Sequence, residues 1–157
     1  MMPDPRFGNI HLDANALEPP DPADMVLVSE FLKLKDDQVI SVVNPHGVQL
    51  EVNDPRTPSR TRMNMEGIYT IQTNRTPQEK DVLLRLRKLM RGDAAPGRHE
   101  ADAGHIFEAS KYGGIYFVTH DQRILRKSSD IAGILGPLPK ILTLRQFIQT
   151  CRQYRLA

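Results

Sequence analysis

The sequence predicts an α/β protein with a central parallel sheet of four to five strands and helices on both faces. The first observation is the segment 113–121, where two glycines precede the apolar run Ile115-Tyr116-Phe117-Val118 and Thr119-His120-Asp121 follows it. An apolar run without alternation is typical of a strand covered on both faces, as in parallel sheets. The second observation is that predicted strands and helices alternate along the chain. Ligands of such sheets bind beyond the carboxyl ends of the strands, so Asp121 lies where a ligand-binding or catalytic residue is expected.

Short runs rich in apolar and β-branched residues mark the other strands. They are predicted at residues 9–12, 39–43 and 141–143, and residues 67–71 are predicted as a minor strand or a hairpin arm. The run at 39–43 is β-branched almost throughout, which favours a strand over a helix.

Helical periodicity marks five segments. They run from residue 22 or 24 to 36, from 76 to about 91, from about 98 to 112, from 122 to about 136, and from 144 through 151. The clearest start is Thr76, because Pro77 and Glu79 follow it in the pattern of a capping box. Residues 53–77 contain prolines and arginines without a regular period, which predicts a long Pro- and Arg-rich loop inserted into a single domain of residues 1–157.

Length and composition are those of one globular domain. Hydrophobic residues make up 39% and charged residues 25% of 157 residues, so disorder is not expected. No apolar run approaches the roughly 18 residues of a membrane span, and the first residues lack the pattern of a signal peptide. We therefore expect a cytoplasmic protein without a membrane segment. The lone Cys151 is expected to be a small core residue rather than a reactive thiol.

Charge is distributed unevenly along the chain. Residues 1–53 contain 3 basic and 9 acidic side chains, residues 54–98 contain 10 and 5, and residues 99–157 contain 8 and 5. A basic middle third is the pattern expected for a polyanionic partner such as nucleic acid, although a solvated surface gives the same pattern.

Four carboxylates are notable for their positions. Asp13 and Asp121 follow predicted strands, Glu51 lies three residues after Val48, and Asp102 shares a helical stripe with apolar residues. Taken singly, each acid is more often a helix cap or a surface residue. Together they would place several charges near the rim of the sheet, which requires a compensating cation.

Oxygen ligands alone favour a hard cation, so the sequence predicts Mg²⁺ or Mn²⁺. Such an ion binds phosphate oxygens together with a few carboxylates and activates water for hydrolysis.

The ordered series of these motifs resembles the PIN-domain ribonucleases. Its parts are Ile10-His11-Leu12-Asp13-Ala14-Asn15, then Val48 and Glu51 after an apolar strand, then Asp102 in an alanine-rich helix, then Val118-Thr119-His120-Asp121-Gln122-Arg123-Ile124-Leu125. The resemblance covers residues 8–150 approximately.

This resemblance implies a Rossmann-like three-layer sandwich and a divalent-metal-dependent endoribonuclease that cleaves single-stranded RNA. Carried over to this sequence, it implies that Asp13, Glu51, Asp102 and Asp121 bind the metal and carry catalysis. It also implies that Asn15 and Thr119 support the first and last of these acids. Many bacterial members are toxins of toxin–antitoxin pairs. The resemblance therefore also implies a homodimer and an antitoxin-type protein partner.

The sequence alone leaves several assignments of site residues open. Glu66 and Glu30 are the alternatives to Glu51, and Glu100 is near enough to Asp102 to reach the edge of the pocket. His105 is expected on the helix surface or as a ligand, and alternation turns His120 away from Asp121. Arg56, Arg60 and Arg62 are expected to bind the RNA backbone or to belong to a solvated loop.

Three other functions compete with the ribonuclease. The first is a PIN-like module that binds nucleic acid or protein without cutting it. The second is a nuclease for structured DNA, which usually has more acids than this chain shows. The third is a phosphate-binding α/β signalling domain, which gives no reason for Asp102.

Overall fold

The computed structural model of the chain describes residues 1–45, 53–65, 68–71, 74–95, 97 and 99–157, with the backbone alone at residues 45 and 69–71. Its strands are β1 (Asn9–Leu12), β2 (Ser41–Pro45), β3 (Tyr69–Ile71), β4 (Gly114–Val118) and β5 (Lys140–Leu142). All neighbouring strands are parallel, and the order in the sheet is β3-β2-β1-β4-β5. The predicted α/β class and the parallel sheet are therefore confirmed.

Helices lie on both faces of the sheet and complete a three-layer sandwich. Those of the described residues are α1 (Met25–Asp36), α2 (Ser59–Met65), α3 (Pro77–Arg91), α4 (Glu100–Lys111), α5 (Gln122–Arg126), α6 (Ser128–Leu135) and α7 (Leu144–Gln153). None of them is both long and apolar enough to cross a lipid bilayer.

One face of the sheet packs against α1 and α7. Tyr116 of β4 is fully buried there, with Phe147 of α7 at a ring-centroid distance of 5.4 Å and Phe31 of α1 at 5.6 Å from Phe147. Cys151 is a free, buried cysteine in the same cluster, in agreement with its expected role as a core residue. Aromatic edge contacts of this kind add to the free energy gained from burial.

The other face packs against α3, α4 and α6. Leu83, Leu86 and Met90 form the buried stripe of α3, as the sequence predicts, and they meet Ile106 of α4 and Phe117 of β4. The predicted capping box at the start of α3 is present, with Thr76 and Glu79 each accepting from the other's backbone N–H.

The prediction of a long loop at 53–77 was wrong for residues 59–65, which form a helix. Residues 59–65 form α2, and the backbone N–H of Arg62 donates to the Pro58 carbonyl at 3.3 Å. Proline is compatible with the start of a helix, because its missing N–H would have no partner there. The hairpin alternative for residues 67–71 was also wrong, since β3 pairs with β2 in parallel.

Two element boundaries also differ from the prediction. The strand predicted at 39–43 is Ser41–Pro45, and the single helix predicted after residue 122 is the pair α5 and α6. The chain turns between them at Lys127, whose ammonium group donates to the carbonyls of Leu89 at 2.7 Å and Met90 at 3.2 Å. Lys127 thus satisfies carbonyls at the end of α3, a contact that helical periodicity does not reveal.

Gly114 allows α4 to lie close to the sheet. A Cβ atom there would lie 2.4 Å from the Ala109 carbonyl oxygen and 2.8 Å from Cδ2 of the buried His11. Both neighbours are fixed, one as backbone and the other by the fully buried position of its ring.

Gly114→Ala is therefore expected to lower the free energy of unfolding by about 3 kcal/mol, because it overpacks this contact. Gly133→Ala in α6 is the matched control, since a Cβ there meets no atom within 4 Å. The control is expected to raise stability by about 0.5 kcal/mol through helix propensity. Urea unfolding of both variants makes the comparison, and equal effects would contradict the close packing.

Candidate functional site

The candidate site lies at the carboxyl ends of the two central strands. Asp13 follows β1 directly, and its backbone N–H donates to the Val118 carbonyl of β4 at 2.9 Å. Residues 119–121 continue from β4 beside it. Adjacent parallel strands end at the same edge of a sheet, so Asp13 and Asp121 are brought to the same crevice, as the sequence predicts.

Asp13 is buried and fixed by two hydrogen bonds. Its side chain accepts from the Thr119 hydroxyl at 2.7 Å and from the backbone N–H of Ala14 at 2.8 Å. Nδ1 of His105 lies 3.8 Å from the Asp13 carboxylate. Each carboxylate oxygen therefore has a donor, while the chain around it is held by strand pairing.

Thr119 and Asn15 tie the two strand ends together. The Thr119 hydroxyl donates to Asp13 and accepts from the backbone N–H of Asp121 at 3.0 Å. Oδ1 of Asn15 accepts from the backbone N–H of His120 at 3.1 Å and lies 3.3 Å from the Thr119 hydroxyl. Both polar residues thus contact the segments that carry the acids at residues 13 and 121.

Asp121 caps the short helix α5. Its side chain accepts from the backbone N–H of Arg123 at 2.9 Å, and its second oxygen lies 3.0 Å from the Arg123 guanidinium. The N-cap contact fixes the carboxylate at the start of the helix.

Asp102 belongs electrostatically to the same cluster. It lies in the first turn of α4, its side chain is 16% exposed, and the Arg123 guanidinium is 3.4 Å away. Burial, followed by repulsion from Asp13 and Asp121, raises the pKa of Asp102 to about 7. Asp13 and Asp121 therefore lie close enough to Asp102 for their negative charges to act on it.

Other predicted residues lie elsewhere or outside the description. Glu51 and its alternative Glu66 lie outside the described residues. Glu30 lies in α1 on the opposite face, where it pairs with Arg152 of α7 at 2.9 Å. Glu30 therefore belongs to a different surface from the acidic cluster. Glu100 is the first residue of α4 and is half-buried.

The three arginines of the 53–65 region each contact another described residue of the chain, and of these three contacts only that of Arg60 lies outside its own segment. Arg56 pairs with Asp54 at 2.8 Å, Arg60 lies 2.8 Å from the Met25 sulfur, and Arg62 lies 3.3 Å from the Ser59 hydroxyl. Among the parts of the chain that are described, no three Asp, Glu, His or Cys side chains form a group that could hold a metal ion.

Sequence reasoning missed the burial of His105 and the ion pairs of Arg123. His105 is buried rather than on the helix surface, and burial lowers its pKa while the Asp13 carboxylate opposes this. Arg123 pairs with both Asp121 and Asp102. Its position was the available signal, because a cation in the first turn of a helix is unfavourable unless carboxylates compensate it. A ring nitrogen of His120 lies 3.1 Å from the Ala16 carbonyl oxygen.

Comparison of the chain with protein-family models, with curated proteins and with solved structures finds no match. The fold and the site describe an α/β sandwich in which carboxylates gather near the carboxyl edge of a parallel sheet.

Thr119→Val is expected to lower the free energy of unfolding by about 2 kcal/mol, because Asp13 and the Asp121 N–H both lose a buried partner. Thr150→Val is the matched control, since Thr150 is also buried but donates only to the Gln146 carbonyl of its own helix, at 3.0 Å. Urea unfolding of both variants tests this. An equal loss of stability in both variants would show that the Thr119 hydroxyl contributes no more than a hydroxyl bonded within its own helix.

Asp102→Asn is expected to stabilise the metal-free protein at pH 8 by about 2 kcal/mol. Each pKa unit is worth at most about 1.4 kcal/mol, and solvent and the nearby Arg123 screen part of the total. The pKa of Asp102 is raised from 3.8 to about 7, so the folded chain binds the extra proton between these values. Its contribution to stability therefore falls as pH rises from about 4 to 7. Urea unfolding in chelator at pH 5 and pH 8 measures the slope, with the exposed Asp93→Asn as control. A slope unchanged by Asp102→Asn would contradict the coupling.

Proposed function

We propose that this chain is a divalent-metal-dependent endoribonuclease of the PIN-domain kind, which hydrolyses phosphodiester bonds of single-stranded RNA. The observation that carries the proposal is the acidic cluster: Asp102 lies near Asp13 and Asp121, and burial, followed by repulsion from these two acids, raises its pKa to about 7. The cluster lies at the edge of the parallel sheet where α/β enzymes bind ligands.

The donor set fits a hard divalent ion. The three side chains offer only carboxylate oxygens, which Mg²⁺ and Mn²⁺ prefer. Burial is the largest cause of the raised pKa of Asp102, and a divalent ion would offset the second cause, which is repulsion from Asp13 and Asp121. The described side chains do not form a group that could hold a metal ion in their present positions, so the carboxylates of Asp13, Asp102 and Asp121 would have to move closer together to hold the ion. Glu51, outside the described residues, is the proposed fourth acid.

The chain's own residues would prepare the site for hydrolysis. Thr119 orients Asp13 through its 2.7 Å hydrogen bond, and the N-cap contact orients Asp121. These hydrogen bonds limit the orientations that the two carboxylates can adopt. When bound, the ion supplies positive charge that offsets the charge developing on the phosphate and lowers the pKa of water.

The basic charge of the middle of the chain supports RNA as the proposed substrate. Residues 54–98 contain 10 basic and 5 acidic side chains, and the proposal assigns Arg56, Arg60 and Arg62 of this region to phosphates of the RNA backbone. By its resemblance to the PIN-domain ribonucleases, the proposal extends to a cytoplasmic homodimer controlled by an antitoxin-type protein.

A non-catalytic binding module is the second candidate. The specific observation in its favour is Arg123, whose guanidinium already supplies positive charge to Asp102 and Asp121. A site neutralised permanently by its own arginine has less need of an ion.

Asp13→Asn and Asp121→Asn are each expected to reduce RNA cleavage by about 100-fold or more, because each removes a carboxylate that would hold the ion. The assay is Mn²⁺-dependent cleavage of a fluorescently labelled single-stranded RNA, with chelator as a second test. The exposed Asp93→Asn is the matched control and should cleave normally.

Calorimetric titration of the same proteins with Mn²⁺ separates the two candidates. Binding by the unmodified chain and its loss in Asp121→Asn support the nuclease. RNA binding without any Mn²⁺ binding or cleavage would favour the non-catalytic module instead.

A further inference from the structure

Arg123 bridges two acids of the cluster that come from different parts of the fold. One guanidinium nitrogen, Nη2, lies 3.0 Å from Asp121 and 3.4 Å from Asp102. Asp121 belongs to the turn after β4, whereas Asp102 belongs to α4. The arginine therefore links the sheet edge to the helix layer above it.

The position of Arg123 combines a fixed backbone with an accessible side chain. Its backbone N–H donates to Asp121 at 2.9 Å, which anchors residue 123 at the start of α5. Its side chain is 43% exposed, compared with 16% for Asp102 and 18% for Asp121. The guanidinium thus covers the two acids from the solvent side, and its side chain can turn outward without a change in the helix.

We propose that Arg123 is a built-in counter-ion of the acidic cluster, which a divalent metal ion must displace from Asp102 and Asp121 in order to bind. This inference rests on the proposed function, because it concerns the same metal site. It assigns to Arg123 the role of setting the metal affinity of the site.

The competition follows from charge and from shared ligands. An arginine and a divalent cation are attracted to the same carboxylate oxygens, and both cannot occupy the nearest positions at once. Partly exposed ion pairs are weak, so the arginine can be displaced, but the two pairs together oppose metal binding. Removal of the guanidinium should therefore tighten metal binding and destabilise the metal-free protein.

Arg123→Gln is the main test variant, because it keeps much of the side chain and removes the charge. Its Kd for Mn²⁺, measured by calorimetry, is expected to be about tenfold lower than that of the unmodified chain, equivalent to about 1.4 kcal/mol. Arg126→Gln is the matched control, since it removes the same charge from the same helix at an exposed position. The control should leave the Kd close to its original value.

Arg123→Lys serves as a second variant in case Arg123→Gln folds poorly. It retains one positive charge but lacks the planar, multiply donating group that suits two carboxylates at once. Its Mn²⁺ affinity should lie between those of the unmodified chain and Arg123→Gln.

The stability of the metal-free protein tests the counter-ion role directly. In chelator at pH 8, Arg123→Gln should lower the urea midpoint more than Arg126→Gln does. The loss should shrink when Asp102→Asn is present, because the acid that the arginine neutralises is then gone. Additive effects of the two substitutions would overturn the counter-ion role.

The titrations distinguish failure of this inference from failure of the proposed function. Equal Mn²⁺ affinities in Arg123→Gln and the unmodified chain would overturn the inference and leave the nuclease intact. Binding in Arg123→Gln alone would support the inference and overturn the nuclease for the unmodified chain. Absence of binding in every variant would overturn both.

Discussion

Parallel pairing of β1 with β4 is the constraint on which the candidate site depends. It places Asp13 beside Thr119, two residues from opposite halves of the chain, with a hydrogen bond of 2.7 Å between them. Because the Thr119 hydroxyl also accepts from the Asp121 backbone, one side chain positions both strand-end acids. The register of the central strands therefore determines where the negative charge of the site is gathered.

Gathering that charge has an electrostatic cost, and the structure offsets it in three ways. Hydrogen bonds from Thr119 and Ala14 stabilise the buried Asp13 carboxylate. The pKa of Asp102 is raised to about 7, so this carboxyl group is partly protonated near neutrality and carries less negative charge. Arg123 supplies positive charge from the solvent side. These offsets are partial, and the proposed divalent ion would compensate the charge that remains.

Much of the fold was predictable from sequence, whereas the contacts within the site were only partly so. The uninterrupted apolar run at 115–118 predicted β4 because burial on both faces leaves a simple composition signal. Asp13 and Asp121 were predictable from their places at strand ends. By contrast, the burial of His105 and the double ion pair of Arg123 depend on how α4 packs over the sheet, which no local pattern specifies. The same limit applies to α2, whose seven residues are too few for a clear helical period.

The most direct test of the account is a crystal structure determined from crystals soaked in Mn²⁺, with anomalous scattering used to locate the ion. The account predicts an anomalous peak about 2.1 Å from oxygens of Asp13, Asp102 or Asp121, with the Arg123 guanidinium turned toward solvent. An absence of anomalous density at the acids, with Arg123 still between Asp102 and Asp121, would contradict it.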